Sequence, residues 1–153
     1  LATRFVERLT EFASHDVPNI DMASAVDRAR EFQESARQLD DLSETWRGRI
    51  RAGAGDDGDR AADLLNHAQL RLSRILVPVA STAVGSYGQD RYGHAWQTQM
   101  IPSLVPYSKL ASFSRDSEEF QTWWVAMVRA RNRVTDALEQ ASAELRETLE
   151  ELR

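Results

Sequence analysis

The chain contains no cysteine, which excludes disulfides, thiolate metal sites and a cysteine nucleophile. Exported bacterial proteins often lack cysteine as well, so the compartment stays open on this ground. No apolar run approaches the ~20 residues that span a bilayer. Lysine is almost missing: of 19 basic residues only Lys109 is a lysine and the rest are arginine. That bias reads first as a GC-rich coding sequence and only weakly as a preference for forked carboxylate pairing. Positive charge is not in excess either. The formal net charge is -5, and a nucleic-acid scaffold would need clustered basic surface. There is no initiator methionine and no basic-then-apolar leader before Leu1-Ala2-Thr3-Arg4-Phe5, so no signal peptide is read there. A start inside a helical pattern points to a piece of a longer polypeptide.

What is present is a soluble globular composition, 42% apolar and 28% charged in 153 residues, enough for one domain with a real core. Helical periodicity dominates, and strand-like alternation is absent. Leu1, Phe5, Leu9 and Phe12 outline a first helix to about Ser14, closed by His15-Asp16-Val17-Pro18. Asp21 is a good N-cap for a second helix, whose stripe runs Met22, Ala25, Ala29, Phe32, Ala36, Leu39, Leu42, Trp46 and Ile50. This helix is expected to fray at Gly48 or to run on to about Ala52. The glycine- and aspartate-rich stretch Gly53–Gly58 predicts a flexible hairpin tip. A third helix, capped at Asp59 or an aspartate before it, is expected to end before Pro78 and to bury Leu64, Leu65, Leu72, Ile75 and Leu76.

The last helix carries the clearest signal. Ser114 or Asp116 is its expected cap, with Glu118 and Glu119 in the first turn, where the helix dipole favours negative charge. Phe120, Trp124, Met127, Arg131, Val134, Leu138, Ala141, Leu145, Thr148 and Leu152 then step by four and three. A run of ~37 residues is a rod of roughly 55 Å, longer than a compact domain of this size needs. Between Pro78 and Phe113 the periodicity stops, and proline, glycine and all three tyrosines gather. An ordered irregular loop is expected there, since long unstructured loops in compact domains are usually functional or disordered and aromatic content argues against disorder. The fold expected is therefore all-α, a single domain over residues 1–153: a four-helix bundle with a long irregular aromatic, glycine- and proline-rich loop, about 78–113, before the last helix.

Motifs for chemistry are scarce. Di-iron bundles use Glu-x-x-His pairs on facing helices, and none occurs; zinc-peptidase His-Glu-x-x-His is also missing. His15, His67 and His94 lie in separate segments and read as surface or hydrogen-bonded residues. Gly85-Ser86-Tyr87-Gly88 has the wrong spacing for a nucleophile elbow. Gly53-x-Gly55-x-x-Gly58 matches a phosphate-loop pattern, but a helix rather than a strand precedes it, and Asp56 and Asp57 would repel phosphate. No catalytic residue, metal ligand or cofactor is assigned to the chain.

Trp123-Trp124 is more informative. Adjacent helical residues point about 100° apart, so the pair cannot share one narrow core stripe. With Trp124 in the core, Trp123 faces a second surface. It belongs either to a wide core beneath the 78–113 segment or to a protein interface, where tryptophan is enriched. Arg131, lying in the apolar seam, is either a paired core charge or an interface contact. Both are candidate dimer-interface residues.

The order of these elements resembles the C-terminal, transferrin-receptor-like dimerisation domain of glutamate carboxypeptidase II and its relatives. The likeness rests on Ile20-Asp21-Met22 with Ala25-Val26, Phe32, Ala36 and Leu39, and on Asn66-x5-Leu72-x-Arg74-Ile75-Leu76 before Pro78. It continues through the tyrosine- and glycine-rich loop to Ala130-Arg131-Asn132, Ala137-Leu138, Ala141 and Leu145. The resemblance implies a homodimer, packing against a zinc-peptidase domain of the same chain, and a loop that completes the substrate pocket. In this loop Asp90-Arg91-Tyr92-Gly93-His94 stands where the carboxypeptidase has Asn-Lys-Tyr-Ala-Gly, which makes Arg91 and Tyr92 the implied substrate-binding residues. His94-Ala95-Trp96 departs from the family's pattern. Zinc, in this reading, belongs to the peptidase domain, and a periplasmic or extracellular setting is hinted at. Two other readings remain open: a free-standing helical interaction or adaptor domain, and a small ligand-binding or enzymatic bundle built on the Tyr87–Trp96 loop.

Overall fold

A computed structural model describes residues 1–15, 17–83 and 99–153. Its described residues hold five α-helices, α1 (Ala2–Ala13), α2 (Met22–Arg51), α3 (Gly55–Ser81), α4 (Tyr107–Leu110) and α5 (Glu118–Leu152), with a 3-10 turn at Pro102–Leu104 and no strand. The expected all-α bundle is what forms. The four longer helices make the bundle: α5 packs against α2 and α3, and α1 lies on α2.

Each helix forms for local reasons that also set its packing. Phe5, Leu9 and Phe12 put the apolar face of α1 wholly inside, and Phe5 meets Phe32 of α2 edge-on, with ring centroids 6.3 Å apart. The Asp21 side chain accepts the Ser24 N–H at 3.0 Å and so caps α2. α5, 35 residues long or roughly 52 Å, is capped by Ser117, whose extended backbone lets its hydroxyl accept the Phe120 N–H. Its buried face is Phe120, Met127, Val134, Leu138, Ala141, Leu145, Thr148 and Leu152, the stripe read from sequence except that Trp124 and Arg131 are only half-buried, widened by Ala130, Ala137, Ser142 and Leu149. The widening follows from position, because α5 touches helices on two sides. Trp46 of α2 donates its indole N–H to the Leu152 carbonyl at 3.2 Å, which holds the end of α5 to the bundle.

Several expectations need correction. α5 starts after Ser117 rather than Ser114 or Asp116. The hairpin tip is much shorter than Gly53–Gly58, since α3 begins at Gly55 and Gly58 is already buried inside it. A Cβ on Gly58 would come within 3.0 Å of the Ile50 side chain, so this glycine lets α2 and α3 turn tightly. No side chain caps α3; Asp56 and Asp57 sit in its first turn instead. Pro78 does not end the helix, which continues to Ser81. The carbonyl that proline leaves without an N–H partner belongs to solvent-exposed Arg74, where water can take its place. The Thr82 hydroxyl donates to the Pro78 carbonyl at 2.5 Å, satisfying another orphan acceptor at the helix end.

The irregular segment expected over 78–113 is therefore partly helical. Its described part returns through Ile101, a fully buried β-branched residue at φ 58°, held by its N–H bond to the Ala80 carbonyl at 3.0 Å. That left-handed backbone costs roughly 1–3 kcal/mol and aims the 3-10 turn and α4 back over α5. Leu104, Tyr107 and Leu110 are then buried against the bundle.

Candidate interaction surface

The first half of α5 carries two seams rather than one. Trp124 is half-buried and donates its indole N–H to the Pro18 carbonyl at 3.2 Å, so it clasps the link between α1 and α2. Trp123 points away from that link and is 42% exposed. It lines a cleft of about 660 Å³ between α5 and the Pro102–Phe113 stretch, sharing it with Pro102, Phe113 and Met127. Both readings of Trp123 thus meet at one place: it faces the proline-rich segment, yet that segment leaves much of the ring open. Among the described residues the cleft has two charged residues on its wall, Lys109 and Arg133, and no carboxylate.

Arg131 is on a different side. It is half-buried, absent from the cleft wall, and its buried Nε has no hydrogen-bond partner. Its charge bears on Asp21. That carboxyl is held below the ordinary carboxylate range by the Ser24 N–H first, then by the Ser24 hydroxyl, with the Arg131 charge a smaller influence. The two interface candidates, Trp123 and Arg131, are therefore not brought together. Arg91 and Tyr92, like His94 and Trp96, lie outside the described residues.

A second open surface lies on α3, where periodicity alone predicted burial. Of the five residues expected inside, Leu76 is buried, while Leu64, Leu65, Leu72 and Ile75 are only half-buried; the other buried residues of α3 are the small Gly58, Ala61 and Ala68. Leu70 and Val77 are 56% and 53% exposed. Seven residues apart, they stand on one side of the helix, beside a groove of about 810 Å³ between α3, α2 and the start of α1. Arg71 and Arg74 flank them, and the groove carries Glu34, Arg37 and Asp40 on its α2 side. Glu34 and Arg37 pair with each other at 3.1 Å; this bond keeps the Glu34 carboxyl below and the Arg37 guanidinium above their ordinary ranges. Arg71 reaches across to Glu144 of α5 at 2.5 Å, fixing the orientation of α3. The exposed Leu70–Val77 strip was not singled out from sequence; its signal was the seven-residue spacing next to two arginines.

Among the described residues no three His, Cys, Asp or Glu side chains are grouped to hold a metal ion, and no helix is long and apolar enough to cross a membrane. No family model, curated protein or solved structure matches the chain.

Proposed function

We propose that this chain is a homodimerisation domain of a larger, zinc-peptidase-like protein. The self-association half of the proposal rests on the exposed Leu70–Val77 strip beside the α3–α2 groove. Two apolar side chains on one helix face, next to an open groove, form a surface that can complement itself about a two-fold axis. In such a pair the strip of one copy lies over the groove of the other, and Arg74 approaches the partner's acidic rim around Asp40. The zinc-peptidase half rests on the order of sequence elements described above. On that reading the segment after α3 contributes Arg91 and Tyr92 to a substrate pocket built mainly by the peptidase domain, and zinc is bound there.

Sedimentation velocity across micromolar concentrations tests the first half. A dimer that Leu70→Glu with Val77→Glu converts to monomer, with unchanged helical circular dichroism, is the expected result. A strict monomer at every concentration would overturn it. Inspection of the full coding sequence for a His/Asp/Glu two-zinc site tests the second half, and a reading frame holding no such domain would favour a free-standing interaction domain instead.

A further inference from the structure

The cleft beside Trp123 has a chemistry unlike the rest of the surface. In a chain with 24 acidic residues against 19 basic ones, the only charges on its wall among the described residues are the two cations Lys109 and Arg133. Neither forms an ion pair among the described residues; Arg133 donates a long bond of 3.4 Å to the Ala83 carbonyl. The floor is apolar and follows one seam of α5 from Trp123 through Met127 to Arg133. Ten residues at 1.5 Å each make a trough roughly 15 Å long, the reach of about three turns of a helix laid alongside. Helix-in-groove recognition uses apolar anchors at i, i+3, i+4 and i+7, a span of about two turns, so the trough is long enough for it.

We infer that this cleft docks an acidic amphipathic helix of another polypeptide, its apolar side chains seated against Trp123 and Met127 and its carboxylates meeting Lys109 and Arg133. Charge decides against a second copy of this chain. Among the described residues, every other large apolar residue exposed on the surface has arginine beside it: Ile50 lies between Arg49 and Arg51, Leu70 precedes Arg71, Val77 is one turn from Arg74, Leu1 one turn from Arg4, and Val125 one turn from Arg129. Each would bring cation against cation. A partner with glutamate or aspartate flanking its anchors brings the opposite sign, and opposed charge sets partner choice and association rate.

The test uses the whole chain and two synthetic amphipathic helical peptides of about five turns, with identical leucine and phenylalanine anchors and either glutamate or lysine flanks. Binding is followed by anisotropy of a labelled peptide. The acidic peptide should bind at least tenfold tighter than the basic one, and Lys109→Glu with Arg133→Glu should reverse the preference. Both residues are exposed, so circular dichroism and the unfolding midpoint should hold steady. Equal binding of the two peptides, no binding of either, or a preference untouched by the charge reversal overturns the inference. So does loss of self-association in Trp123→Ser, which would assign the cleft to a second copy. The Leu70 and Val77 variants report on the proposed dimer separately, because neither residue lines this cleft.

Discussion

Two hydroxyls six residues apart on α5 should respond to the same substitution with opposite signs. Ser142 is 3% exposed and its Oγ has no hydrogen-bond partner. Other hydroxyls of the chain bond back to the carbonyl four residues earlier, among them Ser43 to Leu39 and Thr148 to Glu144. Ser142 does not. A buried unsatisfied hydroxyl costs about 1–3 kcal/mol of lost hydration. Ser142→Ala removes that cost and adds about 0.5 kcal/mol of helix propensity. Against this, an oxygen-sized void of ~15 Å³ costs about 0.4 kcal/mol at ~24 cal/mol per Å³. The net expectation is stabilisation by about 1–3 kcal/mol, which for a domain of this size raises Tm by roughly 3–9 °C.

Thr148→Ala should do the reverse. Thr148 is 1% exposed, its hydroxyl is bonded at 2.9 Å, and its methyl fills core space. Losing a buried methyl and leaving a void outweighs the propensity gain, for a net loss of about 1 kcal/mol. Thermal and urea unfolding of both variants decides the matter, with an unchanged urea m-value showing that the unfolded state is not the cause. If Ser142→Ala destabilises the protein, its hydroxyl is bonded after all and the accounting for this face of α5 is wrong.

Three further outcomes follow from the packing. Phe5→Ala should cost about 3–5 kcal/mol, since it empties a fully buried site and removes the edge-on contact to Phe32; urea unfolding measures it. Trp46→Phe should cost about 1 kcal/mol and speed amide exchange in the last turns of α5, because the Leu152 carbonyl loses its indole donor; exchange confined to the middle of α5 would contradict this. Asp21 and Glu34 titrate below their ordinary values in the folded chain, so their contribution is present at pH well above about 4 and is lost as pH falls through their lowered pKa values. Acid unfolding of Asp21→Asn should accordingly show a shallower decline in that window than the parent chain.

How far the sequence foretold this molecule depends on how many residues each signal spans. α1, α2 and α5 repeat their apolar steps over three turns or more, and most of each stripe is buried as read; Leu1 and Ile50, near helix ends, are exposed at 66% and 40%, and Ala36, Leu42, Trp46, Trp124 and Arg131 are half-buried. The 3-10 turn and α4 are three and four residues long, too short for any period to register. Their burial depends on Ile101 adopting a left-handed backbone, which nothing in a β-branched residue announces. Pro78 was read as ending the helix, whereas α3 carries it three residues before Ser81, with the lost bond falling on the carbonyl of exposed Arg74. On α3 only Leu76 of the five large apolar residues expected inside is fully buried, because buried Gly58, Ala61 and Ala68 take the inner positions and leave Leu64, Leu65, Leu72 and Ile75 half-buried at the core margin.

That failure on α3 connects with what the surface is for. Stability in this bundle is concentrated along α5, where twelve buried residues face two neighbours at once. α3 is held differently: by small buried residues, half-buried leucines, and one ion pair from Arg71 to Glu144. It also carries an uncapped N-terminus and an internal proline. Fewer buried apolar contacts mean a lower free energy of local opening, so α3 has the most to gain from being covered. The Trp123 cleft differs, because its floor lies on the first half of α5, which packs against its neighbours through Phe120, Met127 and Ala130. The two open surfaces therefore suit different tasks. In the proposals above, the strip on α3 would be completed by association, while the cleft would select its ligand by charge.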